Sequence, residues 1–243
     1  AIPENHISGS CVSAADFDND GDLDLFVGGK MIPGKYPFPA SSILLKNESI
    51  EGKIKFVDVT ENLAKFMVDL GMSSDAEWVD IDNDNDLDLL IVGEWMSPRV
   101  IINEGDKFVD ITLKSGLENQ IGWWFSIAAA DFDKDGDADF IVGNLGENYK
   151  YKASEQEPFE VYTKDFDDNG SFDIVFGYHE EGKVFPVRGR ECSSNQMPFI
   201  SEKFPTYHDF GIADMPSVYG EENLENSLHY SANTFATSYV ENL

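Results

Sequence analysis

Apolar and polar positions alternate along this chain in short bursts. Each is long enough for one strand and is bounded by Gly, Pro, Asn or Asp. The pattern predicts strands at 11–15, 23–27, 42–48 and 55–60, then at 76–79, 87–92, 99–104 and 107–112. The second series copies the first, since Lys55-Phe56-Val57-Asp58-Val59-Thr60 returns as Lys107-Phe108-Val109-Asp110-Ile111-Thr112. A unit of about four strands has the size of a propeller blade. A third series runs through 122–130 and 140–142 and takes in 149–152 and 159–163. Beyond Gly177 the alternation breaks. Pro186, Pro198, Pro205 and Pro216 fall in 178–230 beside helix-compatible pieces at 199–203 and 221–228, which predicts a partly helical insertion on a fourth blade. Residues 237–242 then match the third strand of the first unit, and no Lys-Phe-Val-Asp strand follows, so the chain reads as stopping in mid-blade.

The fold expected is therefore all-β. A single β-propeller region covers 1–243, with repeats at approximately 10–62, 72–114, 122–163 and 160–243, as part of a larger or shortened propeller.

Between the first two strands of each unit lies an acidic turn. Asp16-Phe17-Asp18-Asn19-Asp20-Gly21-Asp22-Leu23-Asp24 sets five carboxylates in nine residues, which repel one another unless a cation sits among them. Carboxylates at positions 1, 3, 5 and 9, a turn glycine at 6 and a main-chain carbonyl at 7 make the oxygen-only shell that calcium takes. The start of an EF-hand loop is similar, but position 12 there is a bidentate Glu and here it is Val27, so the turn leads into a strand. The turn recurs as 80–88, 131–139 and 165–173, each running into an apolar strand and a glycine.

Composition narrows the partners. With 17 basic against 46 acidic residues the formal charge is −29, which argues against nucleic acid and anionic membrane surfaces even after four calcium ions are added. The 42% apolar content supplies a core, and no apolar run reaches the roughly 20 residues of a membrane helix. Cys11 and Cys192 give no geometric hint of pairing. His6, His179, His208 and His229 show no metal-ligand spacing. Asn47-Glu48-Ser49 and Asn169-Gly170-Ser171 match the glycosylation sequon, the second inside a metal loop where a ligand amide cannot also carry a glycan.

Asp-x-Asp-x-Asp-Gly-x-x-Asp followed by an apolar strand and Gly resembles the FG-GAP and VCBS repeats of integrin α-type β-propellers. Gly29–Pro37, Val92–Met96, Gly122–Asp133, Gly143–Asn148 and Arg188–Phe199 are similar to extracytoplasmic repeat proteins of Bacteroidetes-type bacteria that often carry an ASPIC/UnbV domain, which is absent here. The resemblance implies up to four structural Ca²⁺ ions. Their side-chain ligands would be Asp16, Asp18, Asp20 and Asp24 with the carbonyl of Asp22; Asp80, Asp82, Asp84 and Asp88 with that of Asp86; and Asp131, Asp133, Asp135 and Asp139 with that of Asp137. In the fourth loop Asp165, Asp167, Asn169 and Asp173 remain with Ser171 at position 7, so it should bind most weakly. In the second loop Asn85 replaces the turn glycine, and Asn tolerates the left-handed conformation it needs. An exported or surface location is implied, but no settled activity; the first of two readings is a non-catalytic calcium-binding propeller presenting loops to a protein or glycan at the cell surface. Residues 178–230 and Trp95, Trp123 and Trp124 are the candidate contacts, although Trp beside a strand start, as at 123–124, more often packs in a core, and an extracytoplasmic lyase or glycosidase on the same scaffold is the alternative.

Overall fold

The computed structural model describes residues 2–4 and 6–243. Two compact units divide the chain, residues 1–147 with 235–243 and residues 148–234.

In the first unit the alternating segments form antiparallel sheets. β1 (Ser8–Ala15), β2 (Asp24–Met31), β3 (Ile43–Asn47) and β4 (Phe56–Asp58) pair in that order. After α1 (Thr60–Leu63), β5 (Met72–Val79), β6 (Asp88–Met96), β7 (Arg99–Asn103) and β8 (Phe108–Asp110) repeat the arrangement. β9 (Gly122–Ala130) pairs with β10 (Asp139–Asn144) and, through Trp123 opposite Glu94, with the end of β6. The chain then builds the second unit from β11 (Phe159–Lys164), β12 (Asp173–Glu180), β13 (Lys183–Pro186) and β14 (Leu228–Ala232), and returns as β15 (Ser238–Val240). The described residues form no closed ring of sheets.

β15 corrects one expectation. The pattern places residues 237–242 in a fourth blade, yet Tyr239 stands opposite Ile141 and Val240 opposite Phe140, so this strand lies third in the β9–β10 sheet. Pattern identifies what kind of strand a segment is, but a pairing partner nearly a hundred residues away leaves no local mark.

The core follows from the two-residue period of a strand. β6 is buried along its whole length, which explains why 88–92 reads as continuously apolar after its first residue. Leu89 and Ile91 pack with Phe17, Phe26, Leu44 and Phe108, whereas Leu90 and Val92 pack with Trp124, Ile127 and Phe140. One strand thus separates two cores. Gly93 ends the apolar run because a Cβ there would lie 2.1 Å from the Met72 carbonyl oxygen.

The repeated Lys-Phe-Val-Asp-x-Thr segment is a strand lock. Thr60 Oγ1 accepts from the Leu44 N–H (2.8 Å) and donates to Asp58 Oδ1 (2.6 Å). In the next unit Thr112 Oγ1 accepts from the Val100 N–H (3.1 Å), and Asp110 Oδ1 accepts from the Thr112 N–H (2.9 Å).

The second unit has the sheet order β13-β12-β11-β14. Over it pack α2 (Arg190–Gln196), α3 (Phe199–Lys203), α4 (Tyr207–Gly211), α5 (Met215–Tyr219) and α6 (Glu221–Glu225), through Phe166, Val175, Met197, Ile200, Met215 and Val218. Thr206 and Asp214 cap α4 and α5 by accepting from the Asp209 and Ser217 N–H groups. Residues 149–152, read as a strand from their alternation, form no strand, and their tyrosines instead pack on Phe159 and Tyr178. Two of the three tryptophans named as surface contacts are core residues. Trp124 is 1% exposed and Trp95 7%, and Trp95 donates its indole N–H to the Tyr36 hydroxyl (2.7 Å). Cys11 and Cys192 are free thiols.

Candidate metal centres

Each acidic turn is shaped by its own carboxylates. In the first loop Asp16 accepts from the Asp20 N–H (3.0 Å) and the Gly21 N–H (2.9 Å). Asp80 does the same for Asp84 and Asn85, and Asp165 for Asn169 and Gly170. Position 5 then accepts from the N–H of position 7, as Asp20 to Asp22, Asp84 to Asp86, Asp135 to Asp137 and Asn169 to Ser171. Such a coil needs positive φ twice. Position 4 takes it with Asn19, Asn83, Lys134 and Asp168, and position 6 with Gly21, Gly136 and Gly170. Asn85, at φ 74°, closes the second loop without glycine.

The third loop is wound differently at its start. Asp131 accepts from the Lys134 N–H (2.6 Å) and Asp133 from the Asp135 N–H (3.1 Å).

Position 9 anchors every loop from within the sheet. Asp24, Asp88 and Asp139 are fully buried and Asp173 is 3% exposed. One oxygen accepts from the position 2 N–H, as Asp24 from Phe17 (3.2 Å), Asp88 from Ile81 (2.8 Å), Asp139 from Phe132 (3.2 Å) and Asp173 from Phe166 (3.0 Å). The other oxygen accepts from a residue that sequence reasoning did not assign. Three times this is the N–H of an asparagine at or just beyond the end of the third strand: Asn47 (2.7 Å), Asn103 (2.7 Å) and Asn242 (3.1 Å). In the fourth loop it is the side-chain amide of Gln196, on α2 (3.1 Å).

These asparagines also tie one loop to the next. The Asn103 amide donates to the Phe17 carbonyl in the first loop (2.8 Å), and the Asn242 amide to the Ile81 carbonyl in the second (2.9 Å). Asn19 adds a bond to Asp86 (2.8 Å). The signal for the asparagines was present as Leu45-Lys46-Asn47, Ile101-Ile102-Asn103 and Val240-Glu241-Asn242. It was legible as a strand repeat and not as a loop closure. The sequon at Asn47 falls on this structural role, with its amide donating to the Leu23 carbonyl (3.0 Å).

The folding of the loops gathers positions 1, 3 and 9. Asp16, Asp18 and Asp24 each offer a carboxylate oxygen within 4.8 Å of the others, and so do Asp80, Asp82 and Asp88; Asp131, Asp133 and Asp139; and Asp165, Asp167 and Asp173. The position 5 and 7 residues, Asp20, Asp22, Asp84, Asp86, Asp135, Asp137, Asn169 and Ser171, flank these trios and are not among them.

The electrostatics fit a cation. Burial, with the neighbouring carboxylates adding to it, pushes Asp24 and Asp88 up to about 6 against the pull of their backbone donors. Burial raises Asp173 too, whereas at Asp139 it is outweighed by the Tyr239 hydroxyl (2.8 Å) and backbone N–H groups, and the carboxyl falls below its ordinary value. Asp18 Oδ1 and Asp167 Oδ1 are shielded from solvent with no hydrogen-bond partner. An unpartnered anionic oxygen beside two further carboxylates, in an oxygen-only donor set, suits a hard cation such as Ca²⁺. In the first loop a protein cation is already at hand, because the Lys46 ammonium contacts Asp18 and lies 3.3 Å from Asp20.

Residues 80–142 match the FG-GAP-like repeat family. The match opens on the first aspartate of the second loop and ends in β10, beyond the third loop, so it spans both turns and the strands between them. No curated protein matches the chain. No helix among the described residues is long and apolar enough to cross a membrane.

Proposed function

We propose that this is a calcium-binding, propeller-type repeat protein in which Ca²⁺ is structural, working outside the cytoplasm and presenting its surface to a glycan or protein ligand. The observation that carries the reading is the recurrence of one trio, positions 1, 3 and 9, with unpartnered oxygens at Asp18 and Asp167. A bound ion removes the repulsion that the trio creates and fixes the turn that joins two strands, so binding and folding are coupled. Positions 5 and 7 complete the shell, through Asp20, Asp84, Asp135 and Asn169 and the carbonyls of Asp22, Asp86, Asp137 and Ser171. Export agrees with this chemistry, since weak calcium modules fill at the millimolar calcium of extracellular fluids.

Calorimetric titration of the chelator-treated chain with Ca²⁺ tests the reading. Asp82→Ala and Asp167→Ala should each remove one binding event, and equal stoichiometry in wild type and both variants would defeat it.

A further inference from the structure

A cleft of about 420 Å³ opens in the second unit between the 150–157 segment and the end of β12. Its size lies within the range of small-ligand pockets, about 300–1,000 Å³. Three features of its wall point to one ligand chemistry.

The first is a fixed aromatic surface. Tyr151 and Tyr178 meet with ring centroids 4.7 Å apart, and Tyr151 is held from behind by Phe159 (5.9 Å) and through its hydroxyl by the Val187 carbonyl (3.3 Å). The two rings are half-buried and tilted by 38°, so they give the cleft a fixed aromatic wall at little entropic cost, of the kind a sugar ring packs against.

Positive charge is the second. Lys150 and Lys152 both line the cleft of a chain that carries only 17 basic residues against 46 acidic ones. The Lys150 ammonium sits 3.3 Å from the Tyr151 hydroxyl and 4.9 Å from its ring centre, and it ion-pairs with no carboxylate among the described residues. Glu157 and Glu180 on the same wall offset this charge, so it is the placement of the ammonium groups, and not a net positive field, that would pair with one anionic group of a ligand.

The third is a set of groups for hydroxyls. Ser154, Glu157 and Glu180 share the wall, and His179 closes it. The imidazole is braced from the sheet side, with Nε2 3.5 Å from Glu160 Oε1, while Glu160 Oε2 accepts the Tyr162 hydroxyl (2.7 Å).

We infer that this cleft binds an acidic carbohydrate, a sugar ring that carries a carboxylate: the ring lies on Tyr151 and Tyr178, and the carboxylate meets Lys150 and Lys152. The inference rests on the glycan-presenting form of the proposed function and names its ligand class. Bare anions are disfavoured because the tyrosine wall would add nothing to their binding, and neutral sugars because they bring no anion to the Lys150 ammonium.

Calorimetric titration of the calcium-saturated full chain with tetragalacturonate, its methyl ester and cellotetraose tests this. The acidic tetrasaccharide should bind about tenfold or more tightly than either neutral one, and Lys150→Gln and Lys152→Gln should each weaken it about five- to tenfold. Tyr178→Ala should lower affinity for all three sugars together. Melting curves in calcium show whether each variant is folded. Equal binding of acidic and neutral sugars would overturn the carboxylate assignment and leave a glycan site standing. Binding unchanged in both lysine variants, or no binding at all, would overturn the cleft itself. A calcium-dependent melting curve in that last case keeps the metal reading intact, so the two failures are distinguishable.

Discussion

The loops of the first unit and the loop of the second use the same nine-residue turn in different surroundings. Loops one to three are each closed by an asparagine at or just beyond the end of the third strand of their own sheet, and two of those asparagines reach on to the preceding loop. Loop four is closed by Gln196 from a helix, beside a core formed largely by helices α2 to α6. The turn is therefore a self-contained device, since the internal hydrogen bonds of loops one and two recur in loop four although the closing residue changes. What the array adds is a set of hydrogen bonds between loops, through which a change in one loop of the first unit should reach its neighbour.

The largest expected contrast is at position 9. Asp88→Ala removes a fully buried carboxylate and strands the Ile81 and Asn103 N–H groups, which should cost about 3–5 kcal/mol in urea unfolding with calcium present. Asp173→Ala should cost less, about 1–3 kcal/mol, because the Gln196 amide can turn towards water. Equal losses would erase the distinction between array and single loop.

Next comes the tie itself. Asn103→Ala should cost about 1–3 kcal/mol, since it leaves the Phe17 and Leu87 carbonyls without its amide, and Gln196→Ala about 1 kcal/mol. Calcium titration should also show the first loop weakened in Asn103→Ala although no ligand was touched. An unaltered first loop would break the coupling claim.

Within the first unit, Lys46 separates loop one from loop two, whose corresponding strand residue is Ile102. Lys46→Met should tighten calcium at loop one by about tenfold by removing a competing cation. Calorimetry showing no change would mean that the ammonium is not a rival for the site.

The smallest effect belongs to the second unit alone. Hydrogen bonds from the Ser217 side chain and backbone, which outweigh burial, hold the Asp214 carboxyl below its ordinary value. A depressed folded value means the stabilisation is present above the unfolded pKa of about 4 and is lost as pH falls through the folded one. Asp214→Ala should thus cost about 1 kcal/mol at pH 7 and progressively less below about pH 4, followed by urea unfolding. A cost that does not change with pH would show that the cap does not act through its charge.

Much of this was legible in the residues because the responsible forces are local. Alternation sets strands, and the spacing of Asp16, Asp18 and Asp24 sets both the turn and the trio. The Asn85 substitution was readable for the same reason, as a question of φ at one position. The rest depended on partners distant in sequence. Tyr149 to Lys152 alternate like a strand but serve a tyrosine cluster, and for Trp95 and Trp124 the local sequence leaves core and surface both open, a choice that tertiary packing makes by burying them. β15 joins β10 across the whole second unit, which no local pattern records. Asn47, Asn103 and Asn242 escaped assignment because their distance from the loops they close varies with the insertions between.

Thermal unfolding of the full chain, in millimolar calcium and then in excess chelator, tests the central claim most directly. Occupancy at a hundredfold excess over Kd stabilises by about 2.7 kcal/mol per site, and each kcal/mol moves Tm by about 2–4 °C in a protein of this size, so chelation should lower Tm by many degrees. Superimposable curves in calcium and chelator would contradict it.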